Sequence, residues 1–304
     1  MAPRAPSTDL VVDVVTSDIE RFWRTMDEAM GKDTVARTSL IRDLYIRAGS
    51  AGLCDWAGSR LSTPEAAASR LEHITRERRQ FYGSIRATTL ALTESSMSEA
   101  IRATLRPLRV VCPDALFPDV YLLMGALVSR GTISRSGILI GVDLCARDAG
   151  TSLDELTAWE RATLAAPRAI PHIVVHEWVH AQQPRARHPA TLLHQALREG
   201  AAEFVARMVT GAEGLDEEWY SYGQAHERTL WREFRRAMHG TDVRAWLYQG
   251  ATWNGRPPDL GYFFGYRICE SLYRHSPDQQ HTFRRLLTWD GAERLLHDSG
   301  YPDR

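Results

Sequence analysis

Two histidines and a glutamate in the segment IPHIVVHEWVHAQQP, residues 170–184, have the types and the spacing of a metal site. His176 and His180 are four residues apart, so on a helix both imidazoles can face one ion. Neutral imidazoles suit Zn²⁺, and the carboxylate of Glu177 can take a proton from metal-bound water. The apolar residues 173–175 predict a buried helix. The alternative interpretation is a surface helix with two solvated histidines.

A second segment with candidate ligands, LLHQALREGAAEF, occupies residues 192–204. Its apolar residues recur at helical spacing and predict another helix. Its Glu199 and Glu203 are four residues apart and therefore share one face. Because catalytic zinc takes three protein ligands and keeps one position open, Glu199 would complete a His₂Glu set. Glu203, one turn later, is expected to hydrogen-bond the far nitrogen of a ligating histidine and fix its tautomer. The alternative is two solvated glutamates.

A third segment, DLGYFFGYRICESLY at residues 259–273, offers hydrogen-bond donors. Peptide hydrolysis develops negative charge on the former carbonyl oxygen, and an enzyme places a donor there. Tyr262 and Tyr266 share a helical face and are both candidates for that catalytic role. Ordinary aromatic packing is the alternative for each of them.

Composition narrows the class of protein. The 304 residues are 44% apolar and 25% charged, the balance of an ordinary globular chain. Lys and Arg number 37 against 38 Asp and Glu, so there is no basic excess of the kind that binds nucleic acid. No apolar run is long enough to span a membrane. The expected partner is a peptide or protein substrate, and the oligomeric state stays open.

Neither the cysteines nor the N-terminal residues indicate the cellular compartment of the protein. The four cysteines form no CxxC pair, which excludes a zinc ribbon or a thioredoxin motif; they are Cys54, Cys112, Cys145 and Cys269. We expect single buried thiols, with disulfides left open. Residues 1–15 lack a basic head followed by an apolar stretch, so no signal peptide is expected. A signal peptide could nevertheless have preceded Met1 and been removed, so the cellular compartment stays undecided.

The periodicity predicts three regions. Residues 1–106 are expected to form a helical lobe, whose helices lie at 18–30, 34–48, 64–79 and 88–105. Residues 107–145 are expected to form a small sheet, with strands at 108–112, 120–124 and 138–144 and a loop at 125–137. A short helix is expected within 153–164, then the zinc-binding helices within 170–210 and a C-terminal helical lobe at 211–304. The fold class is therefore α+β, mainly helical, and one compact unit is expected.

HEWVH followed by EGAAEF resembles the gluzincin, or thermolysin-like, zinc metallopeptidases. Several further segments resemble a bacterial family of predicted zinc-dependent proteases, the domain of unknown function 2268. These segments are TSDIERFW, GSAGLCDW, RQFYGSI, FPDVYLLMG, GILIGVDL and GYFFGYRI, spread over nearly the whole chain. The resemblance implies that Glu199 is the third zinc ligand and that Glu203 supports a ligand. It also implies a gluzincin core, in which a small sheet lies above the helix that carries His176, Glu177 and His180, the HExxH motif. The resemblance implies little about the substrate.

The leading hypothesis is a zinc metallopeptidase with one Zn²⁺ per chain, in which Glu177 activates the zinc-bound water as general base. One alternative is a zinc-bearing binding module or latent protease without turnover, and another is a zinc hydrolase of a non-peptide amide or ester. In thermolysin-like folds an edge strand binds extended substrate through its backbone. Either residues 121–125 or residues 137–143 are expected to serve in this way.

Overall fold

The computed structural model describes residues 10–184, 190–211, 218–249, 255–288 and 291–302. Within these ranges the chain is mainly helical and has one small mixed sheet, which confirms the α+β class. No helix in the described ranges is both long enough and apolar enough to cross a membrane. Residues 1–9, which belong to the segment where no signal peptide is expected, lie outside the described residues.

The described chain divides into two compact units. The first holds the residues up to Trp178 and the second those from Val179 onward. Helix α8, at Ile170–Gln182, continues through this division. Each unit is described by itself below.

In the described part of the first unit, a two-residue strand is followed by six helices and a π-helical turn. They are α1 at Ser17–Glu28, α2 at Thr34–Leu40, the π-helical turn at Ile41–Ile46, α3 at Ala51–Leu61, α4 at Pro64–Glu77, α5 at Arg79–Ala91 and α6 at Ser95–Val111. Side-chain caps begin several of them, because the first turn of a helix has unpaired N–H groups. Thr63 accepts from the Ala66 amide, with Pro64 at the first helical position where its missing N–H costs nothing.

Two of the predicted helices are each divided between two elements in the structure. The helix expected at 34–48 is α2 followed by the π-helical turn, and the one expected at 88–105 is the end of α5 and most of α6. Helix α3 was missed. In the structure Ser50 caps α3 by accepting from the Leu53 amide.

The strand expected at 108–112 is also wrong, because α6 continues through Pro107 to Val111. Ile101, Leu105 and Leu108 are buried at helical spacing, so their burial favours the helix over a strand. Proline loses one backbone hydrogen bond there, and the packing of this apolar face compensates for it.

The sheet has four strands: β1 at Val14–Val15, β2 at Val120–Leu123, β3 at Gly131–Ile133 and β4 at Ile138–Gly141. Their order is β1-β2-β4-β3. β1, β2 and β4 are parallel, and β3 pairs antiparallel with β4 through a hairpin. The small sheet confirms the prediction. β1 was missed, since two residues carry no periodicity.

The strand β3 corrects the prediction of a loop over 125–137, and it also corrects the choice of edge strand. β4 is paired on both sides, and β2 is paired on both sides at Val120 and Tyr121. β3 is instead an edge strand of the sheet. Its three residues, with a glycine first, are too few for a sequence pattern to mark them as a strand.

The remaining helices follow the sheet. Helix α7 at Ala158–Thr163 lies in the first unit and falls within the predicted 153–164. After α8, the second unit holds α9 at Leu192–Thr210, α10 at Glu218–Ala237, α11 at Leu260–Arg274, α12 at Gln279–Thr288 and α13 at Ala292–Ser299. Helices α9 and α11 cross closely at two glycines. A Cβ added to Gly200 would lie only 2.0 Å from the carbonyl carbon of Gly265.

All four cysteines are free thiols. Three are buried as expected, but Cys54 on α3 is exposed. Burial raises the pKa of the Cys145 thiol to about 12, so this thiol stays protonated and unreactive at neutral pH.

Candidate metal centre

Helix α8 carries the HExxH motif and is held by apolar packing and one directed hydrogen bond. Val174 and Val175 are fully buried, as the apolar run before the motif predicts. In the first unit, the indole N–H of Trp178 donates to the Leu116 carbonyl oxygen at 2.8 Å, and the Trp178 ring packs against Phe117 with 5.4 Å between centroids. These contacts set the rotation of the helix and hence the direction of the motif side chains.

His180 is oriented by Gln183, whose side-chain amide connects the C-terminal end of α8 with α9. The amide nitrogen of Gln183 donates to the Arg198 carbonyl oxygen at 3.0 Å, so Oε1 of the same amide faces His180 Nδ1 at 2.8 Å. Because an amide oxygen only accepts, this contact requires a proton on Nδ1. In a neutral imidazole the Nε2 atom then offers its lone pair to a metal ion.

Glu199 on α9 supplies the carboxylate. Its Oε2 lies 3.1 Å from His180 Nε2. His176 lies one turn before His180 on α8, and the ligand atoms of His176, His180 and Glu199 are all within 4.8 Å of one another. His180 and Glu199 are buried. Helices α8 and α9 thus bring together the three residues that the sequence spacing nominates as ligands.

The donor set fits a zinc ion. If Nδ1 carries the only proton of the ring, His180 presents a lone pair at Nε2, and this lone pair faces a carboxylate oxygen. Two acceptors at such a distance repel one another unless a cation or a proton lies between them. Two imidazoles and one carboxylate are the set that catalytic zinc takes, with a fourth position open.

Glu177 lies next to the ligands on α8 and is 8% exposed. In the first unit its carboxylate lies directly against β3, because a Cβ added to Gly131 would be 2.8 Å from Glu177 Oε1. The same added atom would be 2.9 Å from Ile173 Cγ2. The glycine leaves room for this close approach, so the backbone of an edge strand passes beside the carboxylate.

Tyr248 is a neighbour of Glu199 that the sequence analysis missed. Its hydroxyl donates to Glu199 Oε1 at 2.9 Å. The backbone of Tyr248 has a φ of +60°, and its amide donates to Asp259 Oδ1 at 2.6 Å. Tyr248 lies in an irregular segment far along the chain from Glu199, where no periodicity could indicate it. Gln183 could have been found, because it lies one turn after His180.

Tyr262 also faces Glu199. Burial, followed by the charge of the Glu199 carboxylate, raises the pKa of Tyr262 well above its ordinary value. The Tyr262 hydroxyl therefore stays protonated at neutral pH and keeps its capacity to donate. Its ring packs against Trp219 with 6.0 Å between centroids.

Tyr266 and Glu203 lie one turn further along α11 and α9 respectively. The Tyr266 ring packs edge-on against Phe204 and Tyr220, with centroids 5.7 and 5.3 Å apart. Burial raises the pKa of Tyr266 to about 12. Glu203 accepts a short hydrogen bond from Arg207 Nε, and this guanidinium also lies over the Tyr220 ring at 4.9 Å.

Comparison with known proteins identifies one family. The sequence model of the domain of unknown function 2268, described as a predicted Zn-dependent protease, matches residues 154–287. This match confirms the resemblance over the segment that holds all three candidate ligands and both candidate tyrosines. No match was found among curated proteins or among solved structures.

Proposed function

We propose that this protein is a zinc-dependent metallopeptidase that hydrolyses peptide bonds. The observation that carries the proposal is the cluster of His176, His180 and Glu199, with Glu177 next to the first histidine on the same helix. A structural zinc site needs no base and usually recruits a fourth protein ligand. Three ligands together with a carboxylate beside them favour a catalytic site.

The three ligands would hold one Zn²⁺ per chain. When bound, zinc supplies Lewis-acid polarisation of a carbonyl group and acidifies water. His180 is prepared for this role because Gln183 holds the proton on Nδ1 and leaves Nε2 for the ion. Glu203 would orient a ligating histidine, and its carboxylate forms an ion pair with Arg207.

Glu177 would act as the general base. Its carboxylate accepts a proton from the attacking water and later passes that proton to the leaving amine nitrogen. The carboxylate is buried beside the β3 backbone, and a dry environment strengthens the electrostatic interactions that such a transfer uses.

Tyr262 or Tyr266 would donate a hydrogen bond to the oxygen that becomes negatively charged. The contact of Tyr262 with Glu199 favours Tyr262, since this hydroxyl lies near a candidate ligand. Tyr266 packs among aromatic rings one turn away. Comparing Tyr262→Phe with Tyr266→Phe distinguishes the two, because only the donor to the developing charge lowers kcat when its hydroxyl is removed.

The substrate would bind in an extended conformation along β3. The antiparallel pairing with β4 uses the backbone of Arg130 and Thr132, so the polar groups of Gly131 and Ile133 point away from β4. A peptide that adds a strand there would run beside Glu177. We further propose a gluzincin-like core at residues 107–304 and an added N-terminal helical lobe at residues 1–106.

The experiment is cleavage of a diverse peptide library by zinc-loaded protein, with Glu177→Gln measured beside it. Cleavage by the wild type and not by Glu177→Gln supports the proposal. Equal cleavage by both proteins contradicts the role of Glu177. If neither protein cleaves although each binds one zinc ion, the peptidase proposal fails, and a screen of amide and ester substrates then separates a non-peptide hydrolase from a binding module.

A further inference from the structure

A strained turn joins β2 to the segment that leads into β3. Ala126 and Leu127 have φ angles of +61° and +54° and are fully buried. Residues with a Cβ avoid this left-handed region, and two in succession are unusual. Such strain persists only where the surroundings hold it, and it concentrates at functional sites. We call residues 124–127 the strained turn.

The buried carboxylate of Asp143 holds the backbone of the strained turn. Asp143 follows β4 and is completely buried. Its Oδ1 accepts from the Gly125 amide at 3.1 Å, and its Oδ2 accepts from the Leu127 amide at 2.9 Å. Both bonds end on amides of the strained turn, so the carboxylate fixes the path of the backbone through the left-handed residues.

Two tyrosines of the N-terminal helices complete this network. The Tyr82 hydroxyl on α5 donates to Asp143 Oδ2 at 3.0 Å. The Tyr45 hydroxyl in the π-helical turn donates to the Met124 carbonyl oxygen at 3.0 Å and accepts from the Met124 amide at 2.9 Å. Both tyrosines are buried. Their hydroxyls therefore have partners at the strained turn or at the carboxylate that holds it.

Trp56 on α3 provides a third contact of the same kind. Its indole N–H donates to the Gly125 carbonyl oxygen at 3.3 Å. A Cβ on Gly125 would lie 2.6 Å from Trp56 Cζ2, so the indole packs directly on the backbone. Three aromatic side chains from three different N-terminal elements thus converge on the strained turn or on Asp143.

The strained turn in turn places β3. Three residues after Leu127 the chain reaches Arg130, whose carbonyl oxygen accepts from the Gly141 amide at 3.0 Å, and Gly131 then passes against Glu177. We propose that the N-terminal helices are a positioning scaffold, in which Tyr45, Trp56 and Tyr82 hold the strained turn so that β3 lies beside Glu177. The catalytic part of this inference rests on the proposed function.

The scaffold predicts a specific pattern of effects. Tyr45→Phe and Tyr82→Phe each remove one hydroxyl and keep the ring in the core. Without that hydroxyl the strained turn opens more often. For Tyr82→Phe, amide exchange in residues 124–133 rises by about fivefold to tenfold, as the loss of one hydrogen bond implies. Tyr45→Phe loses two hydrogen bonds, so its rise is at least as large. For the best-cleaved library peptide, kcat/KM falls by about tenfold to a hundredfold, since a misplacement of about 1 Å has that effect. Zinc affinity stays unchanged, because neither tyrosine contacts a ligand.

Thr89→Val is the matched control. The Trp23 indole N–H donates to the Thr89 hydroxyl at 3.0 Å, a buried hydrogen bond that lies wholly between α1 and α5. The control therefore loses a bond of similar kind inside the N-terminal helices and does not touch the strained turn. It is expected to lower the melting temperature as the tyrosine variants do, with no local rise of exchange in residues 124–133.

The experiment combines hydrogen exchange followed by mass spectrometry, zinc affinity by competition with a chromogenic chelator, and peptide hydrolysis. A rise of exchange confined to residues 124–133 in the tyrosine variants supports the scaffold. No rise there, or an equal rise with Thr89→Val, overturns it. Should one tyrosine variant fail to fold, the other breaks a different bond and decides the question.

The two proposals fail in distinguishable ways. If the wild type cleaves no peptide, the proposed function fails, while hydrogen exchange still decides whether the tyrosines hold the strained turn. If exchange responds as expected but kcat/KM does not change, the turn is held as described and its link to the position of β3 is contradicted.

Discussion

The Tyr248 hydroxyl donates to Glu199 Oε1 at 2.9 Å, while Oε2 of the same carboxylate lies 3.1 Å from His180 Nε2. Each oxygen of Glu199 thus has its own partner, and the carboxylate is held in one orientation. Tyr248 is itself held, because its amide donates to Asp259 Oδ1. This arrangement leaves Oε2 directed at the candidate metal position.

Removal of the Tyr248 hydroxyl should weaken metal binding. We expect Tyr248→Phe to lower zinc affinity by about tenfold to a hundredfold, the range found when partners of metal ligands are removed. Competition with a chromogenic chelator measures this affinity. Tyr222→Phe is the control, since the Tyr222 ring stacks on His226. An equal affinity for both variants would show that Tyr248 does not orient Glu199.

Zinc should stabilise the fold, and Glu199 should be needed for it. An ion that binds only the folded state at a thousand times its Kd raises the free energy of unfolding by about 4 kcal/mol. Thermal unfolding with and without zinc measures the effect. We expect Glu199→Ala to reduce it strongly, because one of three ligands is lost. Full stabilisation of that variant by zinc would place the third ligand elsewhere.

Replacing the proposed base should separate turnover from metal binding. Glu177→Gln keeps the size of the side chain and removes its ability to accept a proton. We expect kcat to fall by about a hundredfold to ten-thousandfold while the zinc content stays at the wild-type level. Kinetics on a cleaved peptide and metal analysis of the same sample measure both quantities. Unchanged kcat would rule out Glu177 as the base.

The close crossing of α9 and α11 predicts a large difference between two glycine substitutions. In Gly200→Ala the new methyl group would meet the backbone of Gly265, so we expect a loss of about 3 kcal/mol or more of unfolding free energy. A Cβ on Gly83 in α5 meets nothing within 4 Å. Gly83→Ala should therefore stabilise by about 0.5–1 kcal/mol. Denaturant unfolding measures both, and equal effects would contradict the close approach.

His194 on α9 should contribute to acid sensitivity. Burial, and then the charge of Arg198, lower the pKa of His194 below its ordinary value of 6.5. Below that value the unfolded chain binds this proton more readily than the folded chain does, so stability falls as the pH falls through about 6.5. Unfolding midpoints at pH 7.5 and 5 should drop less for His194→Gln than for the wild type. An equal drop would assign the acid sensitivity to other groups.

The helical parts of the site could be predicted from the sequence. The HExxH spacing places two imidazoles on one face of a helix, and the apolar run before it indicates that this helix is buried. The apolar stripe around Glu199 likewise predicts α9. These features are local, since a period of 3.6 residues and a short motif lie within one element. The structure brings His176, His180 and Glu199 together as that interpretation requires.

The residues that support the site could only be found in the tertiary structure. Tyr248 reaches Glu199 from an irregular segment, and β3 approaches Glu177 from three residues that the sequence suggested were a loop. Both contacts join positions far apart in the chain, and neither has a periodic signal. The sequence by itself therefore determined which residues are the candidates for binding a metal ion and activating water. The tertiary structure decided which side chains and which strand hold them, because long-range packing and buried hydrogen bonds set those positions.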